Sequence, residues 1–157
     1  YAYNGKAKTP TVTVKDSKGN TLKKDTDYIV KYASGRKNPG KYTVTVTFKG
    51  KYEGTKKLTF TIKPAKAALS KVTAGSKQAT VAWKAVSGAT GYEVQYSTSS
   101  KLRSSKTATV KKGSTKKTTI KKLTKGKKYY FRVRAYKTID GKKVYGAWSS
   151  VKSVKIK

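Results

Sequence analysis

Apolar residues recur at every second position through most of the chain. In residues 42–48, Tyr42, Val44, Val46 and Phe48 alternate with Thr43, Thr45 and Thr47. The same period of two runs through residues 11–15, 28–32 and 58–62, with Tyr28, Val30 and Tyr32 on one face of the second of these. Turn chemistry separates the runs, at residues 16–20, 35–40 and 50–54, each with glycine. This is the pattern of strands with one buried and one wet face. Further along, Ala79, Val81 and Trp83 form one stripe, and Tyr92, Val94 and Tyr96 the next. Thr118 and Ile120 follow, then Tyr129, Phe131, Val133 and Ala135, and last Val154 and Ile156. Turns are expected at Ser87-Gly88, Lys112-Gly113-Ser114, Lys125-Gly126 and Asp140-Gly141. No segment carries a helical stripe. The pattern predicts an all-β chain of two tandem immunoglobulin-like antiparallel β-sandwiches.

The boundary between them is expected at residues 62–68, where a Thr/Val/Phe strand meets Pro64 and an Ala/Lys stretch. Proline cannot donate to a ladder, so the strand should stop there and a short linker follow. The domains are accordingly read as 1–63 and 64–157. A length of 157 residues accommodates two small modules of this kind.

Composition narrows the chemistry. The chain has no Cys, His or Met, which excludes a disulfide, a thiol nucleophile, a Ser-His-Asp triad and ordinary zinc or copper sites. No cofactor is expected. Only six carboxylates remain as catalytic candidates. Asp25 and Asp27 sit beside a turn, and Asp16 opens the turn Asp16-Ser17-Lys18-Gly19, positions where carboxylates commonly receive backbone N–H groups. The reading is therefore of a chain that is not an enzyme. A Lys–Asn isopeptide cross-link involving Glu53 and Asn38 is the sharper alternative for the acids, and nothing in their spacing requires it.

The charge changes the picture further. Against six acids stand 39 basic residues, a formal net charge of +33, far beyond the magnitude of about 2–8 usual for a small domain. Residues 1–63 carry 15 basic and 4 acidic residues, net +11, and residues 64–157 carry 24 and 2, net +22. The basic residues are 35 Lys and 4 Arg. Lysine is a solvated point charge, whereas arginine is the residue that reads phosphates and bases in bidentate fashion. A diffuse attraction to polyanions follows, such as anionic wall polymers or polysaccharide, without specific recognition of nucleic acid. The runs Lys111-Lys112, Lys116-Lys117, Lys121-Lys122 and Lys127-Lys128 are candidate anion-binding residues. Their structural alternative is solubility and protection of strand edges.

Among the aromatic residues, Tyr28, Tyr32, Tyr42, Trp83, Tyr92 and Phe131 fall on the apolar faces and are assigned to the core. Tyr136, Tyr145 and Trp148 lie around the last hairpin and form a candidate sugar-stacking platform. The alternative favoured here is that Trp148 covers the sandwich and stacks on Arg132 or Arg134.

Several spaced landmarks resemble the fibronectin type III family over about residues 65–157. They are Trp83, the run Gly91-Tyr92-Glu93-Val94-Gln95-Tyr96, and the run from Leu123-Thr124 through Tyr129-Tyr130-Phe131-Arg132-Val133-Arg134-Ala135. The resemblance implies structural roles for Trp83, Tyr92, Leu123 and Phe131. It also implies that Tyr129, six positions after Leu123, is the corner tyrosine whose hydroxyl returns to the backbone. Lys125 stands where the family often has proline. Residues 1–63 are similar to immunoglobulin-like repeats of Gram-positive surface proteins, through Tyr3-Asn4-Gly5, residues 27–32, Asn38-Pro39-Gly40 and residues 49–55. These resemblances imply an extracellular, secreted or wall-associated setting beside other domains of a longer protein. They fit a chain without a signal peptide at its start or an apolar run of about 20 residues. The leading expectation is a monomeric, non-catalytic spacer whose lysine-rich surface contacts the anionic wall. The alternatives are a carbohydrate-binding or adhesion module and a non-specific binder of extracellular nucleic acid.

Overall fold

A computed structural model describes all residues 1–157, which form two compact units. The first comprises Tyr1 and Tyr3–Ile62, the second Ala2 and Lys63–Lys157. Every regular element is a strand.

The first unit has one antiparallel sheet, with β1 (Tyr28–Tyr32), β2 (Gly40–Phe48) and β3 (Thr55–Ile62) in that spatial order. The threonine–valine alternation of β2 buries Val44 and Val46, and β-branched residues favour this half-buried pleat. Leu22, Tyr28 and Val46 form the small core, with Val12, Val14, Val30, Phe48 and Tyr52 packed around it. The strand expected over residues 11–15 does not form. Val12 and Val14 do turn inward, but the segment joins no named strand, and Lys15 makes only an isolated bridge to Thr21. Side chains hold it instead: the Tyr28 hydroxyl donates to the Val12 carbonyl at 3.1 Å, and Tyr32 to that of Pro10 at 2.5 Å. Leu58 also departs from its pattern. It pairs with buried Val44 and shares its face, yet it is 43% exposed, because β3 is an edge strand and the core does not extend beneath it.

The second unit consists of two sheets closed on one core. One contains β4 (Ala68–Gly75), β5 (Gln78–Lys84) and β8 (Lys117–Ile120). The other runs β10 (Lys142–Tyr145), β9 (Lys128–Ile139), β6 (Gly91–Ser97), β7 (Lys106–Val110), with β11 (Lys152–Lys155) also on β9. The facing stripes meet as the alternation predicts: Ala79, Val81 and Trp83 oppose Tyr92, Val94, Phe131, Val133 and Ala135, all buried. β10 and β11 continue one another along β9, since Gly146 N donates to Ala135 O and Ser149 N to Val133 O.

The stretch expected to be a linker is packed. Pro64 is fully buried, and Ala67 belongs to the core of the second unit. Residues 64–65 pass so close to Gly146 that a Cβ there would lie 2.6 Å from the Ala65 carbonyl, which is why position 146 needs a glycine.

Candidate functional site

Strand β9 places Arg132 and Arg134 on the face opposite Phe131 and Val133. Register sets Arg134 beside Glu93 and Arg132 beside Gln95 on β6. Glu93 is 6% exposed. Its Oε2 accepts from Arg134 Nε at 3.1 Å and Nη2 at 2.8 Å, and its Oε1 from Lys143 Nζ at 3.0 Å and the Tyr145 hydroxyl at 2.9 Å. Burial opposes ionisation of Glu93, but these donors outweigh it and hold its pKa below the ordinary carboxylate value. The same hydrogen bond raises the Lys143 pKa, while burial, with the bond to Glu93, raises that of Tyr145. Sequence reasoning did not find this cluster. The signal was an acid on an otherwise cationic face, resolved only when β9 lies beside β6 with β10 beyond it.

The arginines then stack. Arg134 lies 3.5 Å from the Tyr145 ring centre and 4.3 Å from that of Trp148, and Arg132 lies 4.5 Å from Trp148. Tyr136 is buried, and Tyr145 and Trp148 are half-buried. The three rings therefore form no open platform. Tyr136 turns into the module, Lys143 lies 4.7 Å over its ring, and arginine occupies the ring faces a sugar would need.

Trp83 packs on Tyr92 with ring centres 5.1 Å apart, and Leu123 and Phe131 are in the core. The Tyr129 hydroxyl accepts from Thr124 N at 3.3 Å and donates to Thr124 Oγ1 at 3.4 Å, closing the corner. Those bonds, with Lys106 and Lys127 nearby, lower its pKa. Tyr92 makes a second, unforeseen clasp: its hydroxyl accepts from Val86 N at 2.8 Å and donates to Gly113 O at 3.1 Å.

Two acids of the first unit, Asp16 and Asp27, serve turns. Asp16 Oδ1 accepts from Lys18 N and Asn20 N, each at 2.9 Å, and Asp27 Oδ2 from Lys23 N at 2.8 Å. Hydrogen bonds from Asn20 hold the Asp16 pKa low. Glu53 and Asn38 are both exposed, so the buried setting of an isopeptide bond is missing there.

All eight candidate lysines are exposed, and they fall into two groups. Lys111, Lys112, Lys116 and Lys117 bracket the β7–β8 connection, beside the start of β6. Lys121, Lys122, Lys127 and Lys128 bracket the β8–β9 connection near its end. Of these, Lys121 and Lys122 border a cleft with Arg103 and Lys106, two cations the sequence did not single out.

The fibronectin type III domain model matches residues 63–151. The chain belongs to the fibronectin type III family. Among solved structures, a two-domain fibronectin type III segment of chicken tenascin is 18% identical with a TM-score of 0.57, over 73% of this chain and 64% of that one. The FN1–FN3 domains of chicken CNTN1 are 20% identical with a TM-score of 0.54, over 76% of this chain and 44% of that one. This chain thus spans less than half of the CNTN1 structure, and at these identities the likeness is one of fold. No curated protein matches the chain. As a fibronectin type III module, the second unit has the character of a structural, generally non-catalytic domain.

Proposed function

We propose that this chain is a non-catalytic spacer in a larger secreted or wall-associated protein of a Gram-positive bacterium. Its residues 1–63 act as an immunoglobulin-like surface repeat, and its lysine-rich surface contacts anionic wall polymers. The observation that carries the reading is the imbalance of charge over both units. Six carboxylates cannot neutralise 39 cations, and Glu93 is spent on Arg134 and Lys143 within the module. Almost all of the other lysines are exposed, and polyanions with condensed counterions bind such a surface by releasing them. A platform for neutral sugar at Trp148 is not part of this proposal, because Arg132 and Arg134 lie on that ring.

The test is retention of the whole chain on immobilised lipoteichoic acid across a salt series. Retention should be strong at about 0.05 M salt and fall steeply by about 0.2 M, with a linear logarithmic slope. No retention at the low end, or retention indifferent to salt, would overturn the reading.

A further inference from the structure

At the end of the second unit, the β6–β7 connection and the segment after β8 enclose a cleft of about 620 Å3. That volume falls in the range of about 300–1,000 Å3 typical of small-ligand sites. Arg103, Lys106, Lys121 and Lys122 border it, and no carboxylate does. Arg103 is notable among the four arginines. Arg132 and Arg134 are committed to the ring ladder, and Arg36 lies over Tyr32 and donates to the Ala33 carbonyl. Arg103 has no such engagement, and its guanidinium fork is available to an anion at the cleft.

The cleft is built rather than incidental. Ser104 and Lys122 on its wall, and Leu102 in the same loop, have φ of 46°, 59° and 55°, left-handed values that non-glycine residues seldom adopt. Such conformations persist only where the surroundings enforce them. Here Leu102 is buried, its N–H donates to Ser99 O, and Ser97 Oγ donates to Arg103 O at 2.7 Å while accepting from Ser99 N at 3.1 Å. A loop fixed before binding loses little freedom when a ligand arrives. The floor is aromatic: Tyr96 stacks on Phe131 with ring centres 6.1 Å apart, and Tyr129 leans on the same ring at 6.4 Å. Both tyrosines are half-buried, so they offer a partly apolar wall beneath a cationic rim that also carries serine and threonine hydroxyls.

Cationic rim, neutral hydroxyls and a tyrosine wall together fit a pyranose ring bearing one negative group. We infer that this cleft binds a single sugar residue carrying a carboxylate or phosphate within an acidic polysaccharide, with Arg103 and Lys122 holding the anion. The inference rests on the polyanion reading above and gives it a location. A nucleic-acid strand fits less well, because its binding relies on successive bases each stacked on an aromatic ring along a cationic groove, whereas this cleft offers two half-buried tyrosines at one point.

The test titrates the whole chain with tetragalacturonate, and separately with an oligomer of N-acetylglucosamine 1-phosphate, at about 0.15 M salt. Controls are the fully methyl-esterified tetragalacturonate, inorganic phosphate and a single-stranded oligothymidylate. Either charged saccharide should bind, the tighter one identifying the anion, with the ester and phosphate at least about tenfold weaker. Arg103→Ala/Lys122→Ala should lose about tenfold in affinity, whereas Lys111→Ala/Lys116→Ala, with the same loss of charge at the far group, should change it less than about twofold. Both variants should keep the circular dichroism and melting temperature of the parent. Equal losses in the two variants would overturn the cleft while leaving the diffuse polyanion reading intact. So would an ester, free phosphate or oligothymidylate that binds as tightly as the charged saccharides. Failure of both saccharides, with lipoteichoic acid still retained at low salt, overturns the cleft alone.

Discussion

Trp83 lies 3% exposed against Tyr92, whereas Trp148 is half-buried beneath two arginines. Replacing Trp83 by alanine should cost about 3–5 kcal/mol, the range for large core aromatics. Trp148→Ala should cost about 1–2 kcal/mol, the worth of a partly solvated cation–π stack. Equal shifts in a urea titration would contradict these placements. Tyr92→Phe is a finer probe, because it keeps the ring and removes the clasp between Val86 N and Gly113 O. Losing these two part-buried bonds should cost about 0.5–1.5 kcal/mol. Glu93 sets a dependence on pH. Its pKa in the folded chain lies below the unfolded value, so its contribution is complete above about pH 4.3 and is lost as pH falls through the folded pKa. Between about pH 5 and pH 3, Glu93→Gln should therefore lose stability less steeply than the parent. Parallel curves would show that the cluster does not couple folding to protonation.

At the scale of elements, residues 11–15 and β2 have the same alternation and different fates. β2 gains a ladder on both sides, from β1 and β3. Residues 10–15 rest on Tyr28, Tyr32 and a single bridge. Local opening should be far easier where tertiary side-chain contacts replace a ladder. Hydrogen exchange should therefore release the amides of Thr11 and Thr13 well before those of Val44 and Val46. Comparable protection would mean that the N-terminal segment is a true strand in solution. Alternation alone could not distinguish the two segments, because period two reports which face is apolar and not whether a neighbouring strand is in reach. The same limit explains Leu58, correctly phased with Val44 but left at an uncovered edge.

Over the whole molecule, the net charge of +33 is the dominant long-range term. Self-repulsion favours the expanded chain, and salt screens it. The Debye length falls from about 30 Å to about 8 Å between about 0.01 M and about 0.15 M salt, so the melting temperature should rise over that interval. The rise should be larger for the second unit, whose sequence carries +22 from residue 64 onward against +11 before it. A flat or falling curve would mean that the lysines are spaced widely enough to avoid one another. The second unit has its own closed core, so a 63–157 fragment should fold alone and show the same β-type circular dichroism.

Much about this molecule followed from its sequence. Alternation in residues 42–48, 79–83, 92–96 and 129–135 predicted strands, and composition required a cationic surface without Cys or His. Those properties are local or additive, so no knowledge of contacts was needed. The corner at Tyr129 was implied by the resemblance to the fibronectin type III family, and its partner Thr124 is five residues away. The tertiary structure alone decided what depends on distant segments meeting. It brought Glu93 to Arg134, Lys143 and Tyr145, as many as 52 residues apart. It turned Tyr136 inward, packed Pro64 and Ala67 into the second unit, and gathered Arg103 and Lys106 with Lys121 and Lys122 around one cleft. Period two states which face of a strand a residue occupies; only strand order and register decide what lies across from it.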